Sequence, residues 1–179
     1  GVVHLLPLRT VPPVQDLSAA TFGRLVDQEV KGLFYLLRFA SSDLKSTPGG
    51  WAYTCLSFGA APTDGTLPVP DHPWRGALIG VIKTVAVEWP SVVAKSLALE
   101  GPPSDESVGR ILAELAGPRE EHEAYYRAGS RLVPEPRKVS LQAELASVDL
   151  GPEDVILLIG GARGITSEVA CEIARHARP

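Results

Sequence analysis

Methionine is absent from this chain of 179 residues, which opens on Gly1 and a largely apolar run at residues 2–6. A chain that lacks a starting methionine and begins inside a strand pattern is expected to be an internal piece of a longer protein. Its last residues, 175–179, follow a predicted helix with no strand behind it, although such a helix normally leads to one. We therefore expect both ends to be cuts.

Cysteine is scarce, and the two that are present, Cys55 and Cys171, lie in apolar contexts with no second cysteine or histidine at ligand spacing. Such isolated thiols exclude a disulfide framework. The sequence predicts that both are buried structural thiols in a reducing, cytoplasmic compartment. The four histidines are widely dispersed along the chain, so no metal site is predicted.

Neither sign of charge accumulates in one place. The chain has 17 basic and 21 acidic residues, a net charge of -4 and a pI of about 5.6, and its basic residues are scattered. This distribution argues against nucleic acid as a partner. No stretch approaches the roughly 20 apolar residues of a membrane span, so no membrane association is predicted. The chain has 45% hydrophobic residues. A chain of 179 residues is long enough to bury a core without disulfides or metal.

Apolar runs and helical patterns alternate along the first part of the chain. Continuous apolar runs predict strands at residues 2–6, 51–58 and 92–99. Helical spacing predicts helices from Asp16 or Ser18 to about Ser42, from Trp74 to Trp89, and after a cap at Ser104. The alternation predicts an α/β fold with a Rossmann-like parallel sheet.

A second strand, turn and helix pattern follows Gly151. The apolar run at residues 155–159 predicts a strand, and the glycine-rich segment after it leads into a predicted helix. The inner face of that helix is predicted to consist of Ile165, Val169, Ile173 and Ala177. This pattern predicts the first βα unit of a second Rossmann fold.

The glycine-rich turn has the composition of a phosphate-binding loop. Its predicted cofactor-binding residues are Gly160, Gly161, Ala162, Arg163, Gly164, Ile165 and Thr166. Glycine allows a sharp turn and a close approach of phosphates to the N–H groups that begin a helix, and arginine adds positive charge. A tight turn without a ligand would also use glycine, so these residues alone leave a purely structural turn open.

A Ser, Tyr and Lys proton relay could be sought in the first part of the chain, at Ser57, Trp74 and Lys83. Such a relay needs tyrosine four residues before lysine, and no tyrosine lies four residues before Lys83. No catalytic residue is therefore predicted. Tyr125 and Tyr126 could stack on an adenine, but aromatic residues on a half-buried strand are usually core, which we predict here.

Two blocks of the sequence together resemble one enzyme family. The segment VILLIGGARGITSEVA (residues 155–170) and the block RGALIGVIKTVAVEWP (residues 75–90) are similar to ketoreductase regions, of the short-chain dehydrogenase type, in type I polyketide synthases and polyunsaturated fatty acid synthases. The latter block resembles their helix of the form GLxKTxxxEWP. The segments GVVHLLPL, WAYTCLSFGA and YRAGSRL (residues 126–132) extend the resemblance over nearly the whole chain. In place of the glycine that usually ends the family's turn, this chain has Thr166.

The resemblance implies two joined Rossmann-like halves. Residues 1–148 would be most of a truncated structural half, and residues 149–179 the first strand, glycine turn and helix of the NADP-binding catalytic half. The intact enzyme would use NADPH to reduce a β-ketoacyl thioester carried on an acyl carrier protein. Its catalytic Ser, Tyr and Lys would lie beyond this chain, as would the residues that select NADP over NAD.

The resemblance also implies partners for this chain. These are the remainder of the ketoreductase domain, the acyl carrier protein and neighbouring synthase domains. Two other interpretations stay open at this point: a scaffold that braces or docks synthase domains without catalysis, and a free-standing nucleotide-binding module.

Overall fold

The computed structural model describes residues 1–59, 70, 72–138, 140 and 150–177, except for the side chain of Ala177. The chain forms two compact units, Gly1–Glu135 (unit 1) and Pro136–Pro179 (unit 2). The predicted boundary between residues 148 and 149 lies outside the described residues. The division into 1–148 and 149–179 therefore stays a prediction.

Unit 1 alternates strands and helices. In chain order its strands and α-helices are β1 (Val2–His4), α1 (Ala19–Val26), α2 (Gly32–Ser46), β2 (Trp51–Phe58), α3 (Gly76–Glu88), β3 (Val93–Glu100), α4 (Asp105–Ala116), β4 (Glu123–Arg127) and β5 (Ser130–Leu132). Short 3₁₀ helices occupy Leu6–Leu8, Val14–Asp16 and Pro73–Arg75. None of the helices in the described ranges is long and apolar enough to cross a membrane.

The five strands form one sheet in the order β1-β2-β3-β4-β5. The first four strands are parallel, and β5 returns antiparallel to β4 after a turn at Ala128 and Gly129. Strand β2 pairs with β3 along all eight residues, and seven of its residues are buried because helices cover both faces. This arrangement confirms the predicted α/β, Rossmann-like fold and the strand predicted at residues 51–58.

The helices lie on both faces of the sheet. One face packs against α2 and α3, through Leu33, Leu37, Ala52, Leu78, Ile82 and Ala94. The other face packs against α4, through Cys55, Leu97, Ile111, Ala124 and Tyr126.

The strand-to-strand connections of unit 1 differ in handedness. Because successive connections advance in the same direction across the sheet, helices on opposite faces require connections of opposite hand. The connections through α3 and α4 therefore differ in hand, and one departs from the usual right-handed rule.

The first predicted helix is interrupted in the structure. The side chain of Ser18 caps α1 by accepting a hydrogen bond from the backbone N–H of Thr21 at 3.1 Å. A π-helical turn, Asp27–Lys31, then separates α1 from α2, which continues beyond the predicted end to Ser46. This wider turn contains Glu29, which is fully buried. The predicted helix is thus correct in place, but the π turn is a feature that its apolar pattern does not reveal.

The face of the sheet that carries α4 encloses a buried carboxylate, Glu114. Its side chain accepts hydrogen bonds from Lys95 Nζ at 2.8 Å, from Tyr126 Oη at 2.8 Å and from Arg131. Burial by itself would raise the pKa of Glu114, but the bonds from Arg131, Lys95 and Tyr126 lower it to about 2. The network joins α4 to β3, β4 and β5.

The two adjacent tyrosines of β4, Tyr125 and Tyr126, are both buried. This confirms the prediction that they belong to the core.

Unit 2 contains one helix, α5 (Gly164–Ala177), among its described residues. Residues 155–159 do not form the predicted strand, because no neighbouring strand in the described part of the chain supplies ladder partners. Val155 is 98% exposed and Ile159 is 87% exposed. Of the predicted inner face of α5, Ile165 is 85% exposed, Val169 is exposed and Ile173 is half-buried, and Ala177 lies outside the described side chains.

The two cysteines differ in environment. Cys55 is fully buried in β2, as predicted, and burial raises the pKa of its thiol to about 12. The prediction for Cys171 is wrong, because this thiol is exposed on α5. The half-buried positions of the helix are Thr166, Ser167, Ala170 and Ile173, and Cys171 is not among them. An apolar sequence context was therefore not sufficient to bury it.

We expect a thiol-specific reagent to label one cysteine in the folded chain and two in denaturant. Cys171 should react as an ordinary exposed thiol, whereas Cys55 is shielded and has little thiolate at neutral pH. The measurement is the stoichiometry of labelling by an aromatic disulfide reagent. The Cys171→Ser variant should give no fast labelling, and the Cys55→Ser variant should retain it. Fast labelling of Cys171→Ser would contradict the burial of Cys55.

Candidate functional site

The glycine turn of unit 2 has the backbone geometry that its glycines predict. Gly160 has a φ of 79° and Gly164 a φ of 61°, both in the left-handed region that favours glycine. A side-chain atom added to either residue would have no neighbour within 4 Å. The space beside both glycines is therefore open at the point where α5 begins.

The seven predicted cofactor-binding residues form one continuous turn and the first turn of α5. Arg163 and Ala162 are exposed, Ile165 is exposed, and Gly161 and Thr166 are half-buried. At this helix start the hydroxyl of Ser167 donates to the backbone oxygen of Gly164 at 2.7 Å. The first N–H groups of a helix and its positive dipole end favour an anion. The arrangement suits a phosphate chemically, and cofactor binding by these residues stays a prediction.

A second polar group lies in unit 1, where the carboxyl ends of β1 and β2 meet the start of α3. We call it the Glu29 cluster; it consists of Arg9, Glu29, Ser57, Trp74 and Arg75. The carboxylate of Glu29 accepts hydrogen bonds from Arg75 Nε at 3.1 Å, from Trp74 Nε1 at 2.8 Å and from Arg9 Nε at 3.1 Å. Arg75 also donates to Ser57 Oγ and to the backbone oxygen of Arg9, each at 3.0 Å.

The electrostatics of the Glu29 cluster favour a charged, paired carboxylate. Burial would raise the pKa of Glu29, but hydrogen bonds from Arg75, Trp74 and Arg9 outweigh burial and lower the pKa. Arg75 is 1% exposed, so its guanidinium depends on Glu29 for a counter-charge. The cluster therefore acts as a buried ion pair that joins four segments of unit 1.

The structure does not bring Ser57, Trp74 and Lys83 together as a relay. Ser57 Oγ accepts from Arg75, Trp74 donates to Glu29, and Lys83 pairs with Glu123. Each side chain is thus engaged with a different partner. The chemistry available at these residues is structural hydrogen bonding.

Sequence reasoning missed Glu29 and Arg75, although a signal was present for Glu29. Leu25, Glu29, Leu33 and Leu37 recur every four residues, and all four are buried. A carboxylate on an apolar helix face must find a cationic partner inside the protein, because an unpaired buried charge is very costly. That spacing pointed to a buried ion pair, but it did not identify Arg75 as the partner.

Comparisons with known proteins support the fold. No protein-family model matches the sequence, and no curated protein matches it. The chain is similar in structure to an alcohol dehydrogenase from the archaeon Thermococcus sibiricus, solved in complex with 5-hydroxy-NADP, with 18% identity and a TM-score of 0.51. The match covers 75% of this chain, which spans 64% of the dehydrogenase. At this identity the likeness shows the fold alone.

A second structure, the full-length peroxisomal multifunctional enzyme type 2 from Drosophila melanogaster, is more distant. It has 14% identity and a TM-score of 0.45, with 96% of this chain and 32% of that enzyme covered. A TM-score this low carries no inference about this chain.

We expect Glu29→Gln to lower the free energy of unfolding of unit 1 by about 3 kcal/mol at pH 7, because Arg75 would be buried without its counter-charge. The pKa of Glu29 is lowered in the folded chain, so the wild-type advantage is complete above the ordinary glutamate pKa. It should vanish as the pH falls through the lower folded value. Urea unfolding at several pH values measures this difference.

The control for this prediction is Asp27→Asn in the same π turn. Asp27 pairs with Lys31 on the surface, and the change should cost no more than about 0.5 kcal/mol. Equal losses for the two variants would show that burial of the Glu29 pair contributes nothing of its own.

Proposed function

We propose that this chain is part of an NADPH-dependent ketoreductase that reduces a β-ketoacyl thioester on an acyl carrier protein. Unit 1 would be its structural half, and the glycine turn of unit 2 would bind the pyrophosphate of the cofactor. The observation that carries the proposal is the pair of left-handed glycines, Gly160 and Gly164, with open space beside both at the start of α5. The resemblance of residues 75–90 and 155–170 to ketoreductase regions supports the same assignment.

The residues of the turn fit a dinucleotide phosphate. Gly160 allows a sharp turn, and Gly164 leaves room for phosphate oxygens near the first N–H groups of α5. The exposed guanidinium of Arg163 would pair with a phosphate oxygen. When bound, the nicotinamide cofactor supplies the hydride for reduction. Thr166, where the family usually has glycine, is half-buried and does not close the space beside Gly164.

Proton transfer in this reaction must come from residues outside the chain. None of the four tyrosines is followed by lysine four residues later, so the usual Tyr and Lys pair is absent from the sequence. We propose that the remainder of the ketoreductase domain provides the acid and receives the acyl carrier protein. The proposed location is the cytoplasm, with neighbouring synthase domains as further partners.

A second candidate function, a scaffold within a multidomain synthase, is favoured by the Glu29 cluster. The carboxyl edge of a parallel sheet is where α/β enzymes usually place their ligands. In unit 1 that edge contains a buried ion pair whose members bond to one another. Such an edge suits a bracing role for unit 1. The two candidates differ in whether unit 2 binds NADPH in the complete domain.

The isolated chain should not reduce a β-ketoacyl thioester, because it contains no positioned acid for the developing alkoxide. NADPH oxidation, followed by absorbance with acetoacetyl thioester present, should stay at background. Thioester-dependent oxidation by the purified chain alone would contradict the assignment of the acid to residues outside it.

In the complete ketoreductase domain, Gly164→Val should weaken NADPH binding strongly. A branched side chain is strained at a φ of 61° and would intrude on the space proposed for phosphate. Arg163→Ala should weaken NADPH binding roughly tenfold through the loss of one charged hydrogen bond. Calorimetric titration with NADPH and NADH measures both effects.

The matched control is Arg175→Ala, which removes an exposed arginine from the other end of α5. It should leave both affinities unchanged. A greater loss for NADPH than for NADH in Arg163→Ala would place Arg163 at the ribose phosphate, and equal losses would place it at the pyrophosphate. If both Gly164→Val and Arg163→Ala keep the wild-type affinity for NADPH, the scaffold is favoured.

A further inference from the structure

An apolar groove runs between α2 and α3 on the surface of unit 1. It has a volume of about 370 Å³, and the buried side chains of Leu37 and Val85 are part of its lining. The two helices run in the same direction, because each connects two neighbouring parallel strands. They also end side by side: Ser91 Oγ donates to the backbone oxygen of Lys45 at 3.4 Å, and Lys45 Nζ lies 5.2 Å from the centre of the Trp89 ring.

Helix α2 is apolar on more sides than the sheet covers. Leu33 and Leu37 are buried against the sheet, but Phe34 is 51% exposed, Tyr35 is 60% exposed and Phe39 is 89% exposed. A helix that covers a sheet usually has polar residues on its outer side, whereas a helix that is apolar all round is usually buried all round. The outer side of α2 therefore has the composition of a buried surface.

The exposed aromatic residues extend the groove into a larger surface. Phe34 lines the groove, and its ring lies 5.5 Å from the ring of Tyr35 in an edge-to-face arrangement. Phe39 lies one helical turn beyond Tyr35. Contiguous exposed apolar surface marks protein contacts, in which aromatic residues are enriched. A small molecule in the groove would leave Tyr35 and Phe39 in water, so the extent of this surface favours a protein as its partner.

The two walls of the groove differ in charge. Arg38 and Lys45 are on the α2 wall, and Glu88 is on the α3 wall. None of these three side chains has an ion-pair partner in the part of the chain that the structure describes. A complementary partner presents an acidic group to α2 and a basic group to α3. The same face of a second copy does so when a two-fold axis runs along the groove, because that axis places α2 of each copy over α3 of the other.

We propose that a second copy of this chain packs on this face, about a two-fold axis that runs along the groove. Because α2 and α3 run in the same direction, such an axis brings the ends of α2 and α3 of the two copies together. Lys45 then faces Glu88 of the partner subunit, and the contact occurs twice. Phe34 is covered by the partner's helices. The pairing does not rest on the proposed function, since it uses no residue of unit 2.

Reversal of the two facing charges tests the pairing. Sedimentation equilibrium of the 179-residue chain, between about 1 and 100 μM, should show a dimer of 19.0 kDa subunits. Lys45→Glu alone or Glu88→Lys alone should raise the dissociation constant at least about tenfold, because each variant places like charges opposite each other twice. The double variant, Lys45→Glu with Glu88→Lys, should restore the wild-type dissociation constant, because it places opposite charges together again.

A second pair of variants tests the apolar part of the surface. Phe34→Lys should also weaken the dimer at least about tenfold, because a charge would be buried in the interface. The matched control is Leu157→Lys, at a side chain of unit 2 that is 85% exposed, and it should leave the dimer unchanged. The charge reversals change only exposed residues, so they remain decisive if Phe34→Lys does not fold. A monomer at every concentration, a dimer that only Leu157→Lys dissociates, or a double variant as weak as the single variants would overturn the proposal.

Discussion

The buried carboxylate of Glu29 is the constraint on which the carboxyl edge of unit 1 depends. A charge in the protein interior is tolerated only when it is paired and hydrogen-bonded. Glu29 meets that requirement by drawing together Arg9, from the segment after β1, and Trp74 and Arg75, which precede α3. Through Arg75 the pairing reaches Ser57 near the end of β2. Four separate segments are thus held at one edge of the sheet.

Unit 1 has a second buried carboxylate, Glu114, on the face of the sheet that packs against α4. Unit 2 has no comparable set of buried partners among its described residues. Glu114 joins α4 to three strands through Lys95, Tyr126 and Arg131. In unit 2 the apolar residues at positions 155–159 have no strand partner among the described residues and are largely exposed. Apolar side chains alone did not produce a strand there, because a strand needs a neighbour for its backbone hydrogen bonds.

The two units differ in what their polar atoms leave available. In unit 1 the Glu29 and Glu114 ion pairs are satisfied internally, which suits support of a larger domain. In unit 2 the space beside Gly160 and Gly164 is open, and Arg163 is exposed. The proposed ketoreductase would use this difference, with rigid packing in one unit and open space beside the glycines in the other.

Local pattern in the sequence indicated the first three strands of unit 1, the places of its main helices and its structural class. Strand β2 is predicted at its observed ends, Ser104 begins a helix as predicted, and the alternation of strands and helices correctly indicates a parallel α/β sheet. These features depend on residues close together in the chain, so periodicity and capping reveal them. The left-handed glycines of the turn were foreseeable for the same reason.

Tertiary structure alone decided the features that depend on distant partners. The face chosen by α4, and with it the hand of its connection, follows from which side of the sheet could bury Ile111 and pair Glu114. The π turn at Asp27–Lys31 contains a glutamate whose partner lies 46 residues away. Residues 155–159 have the composition of a strand, but hydrogen-bonded pairing depends on a second segment that their own sequence cannot specify.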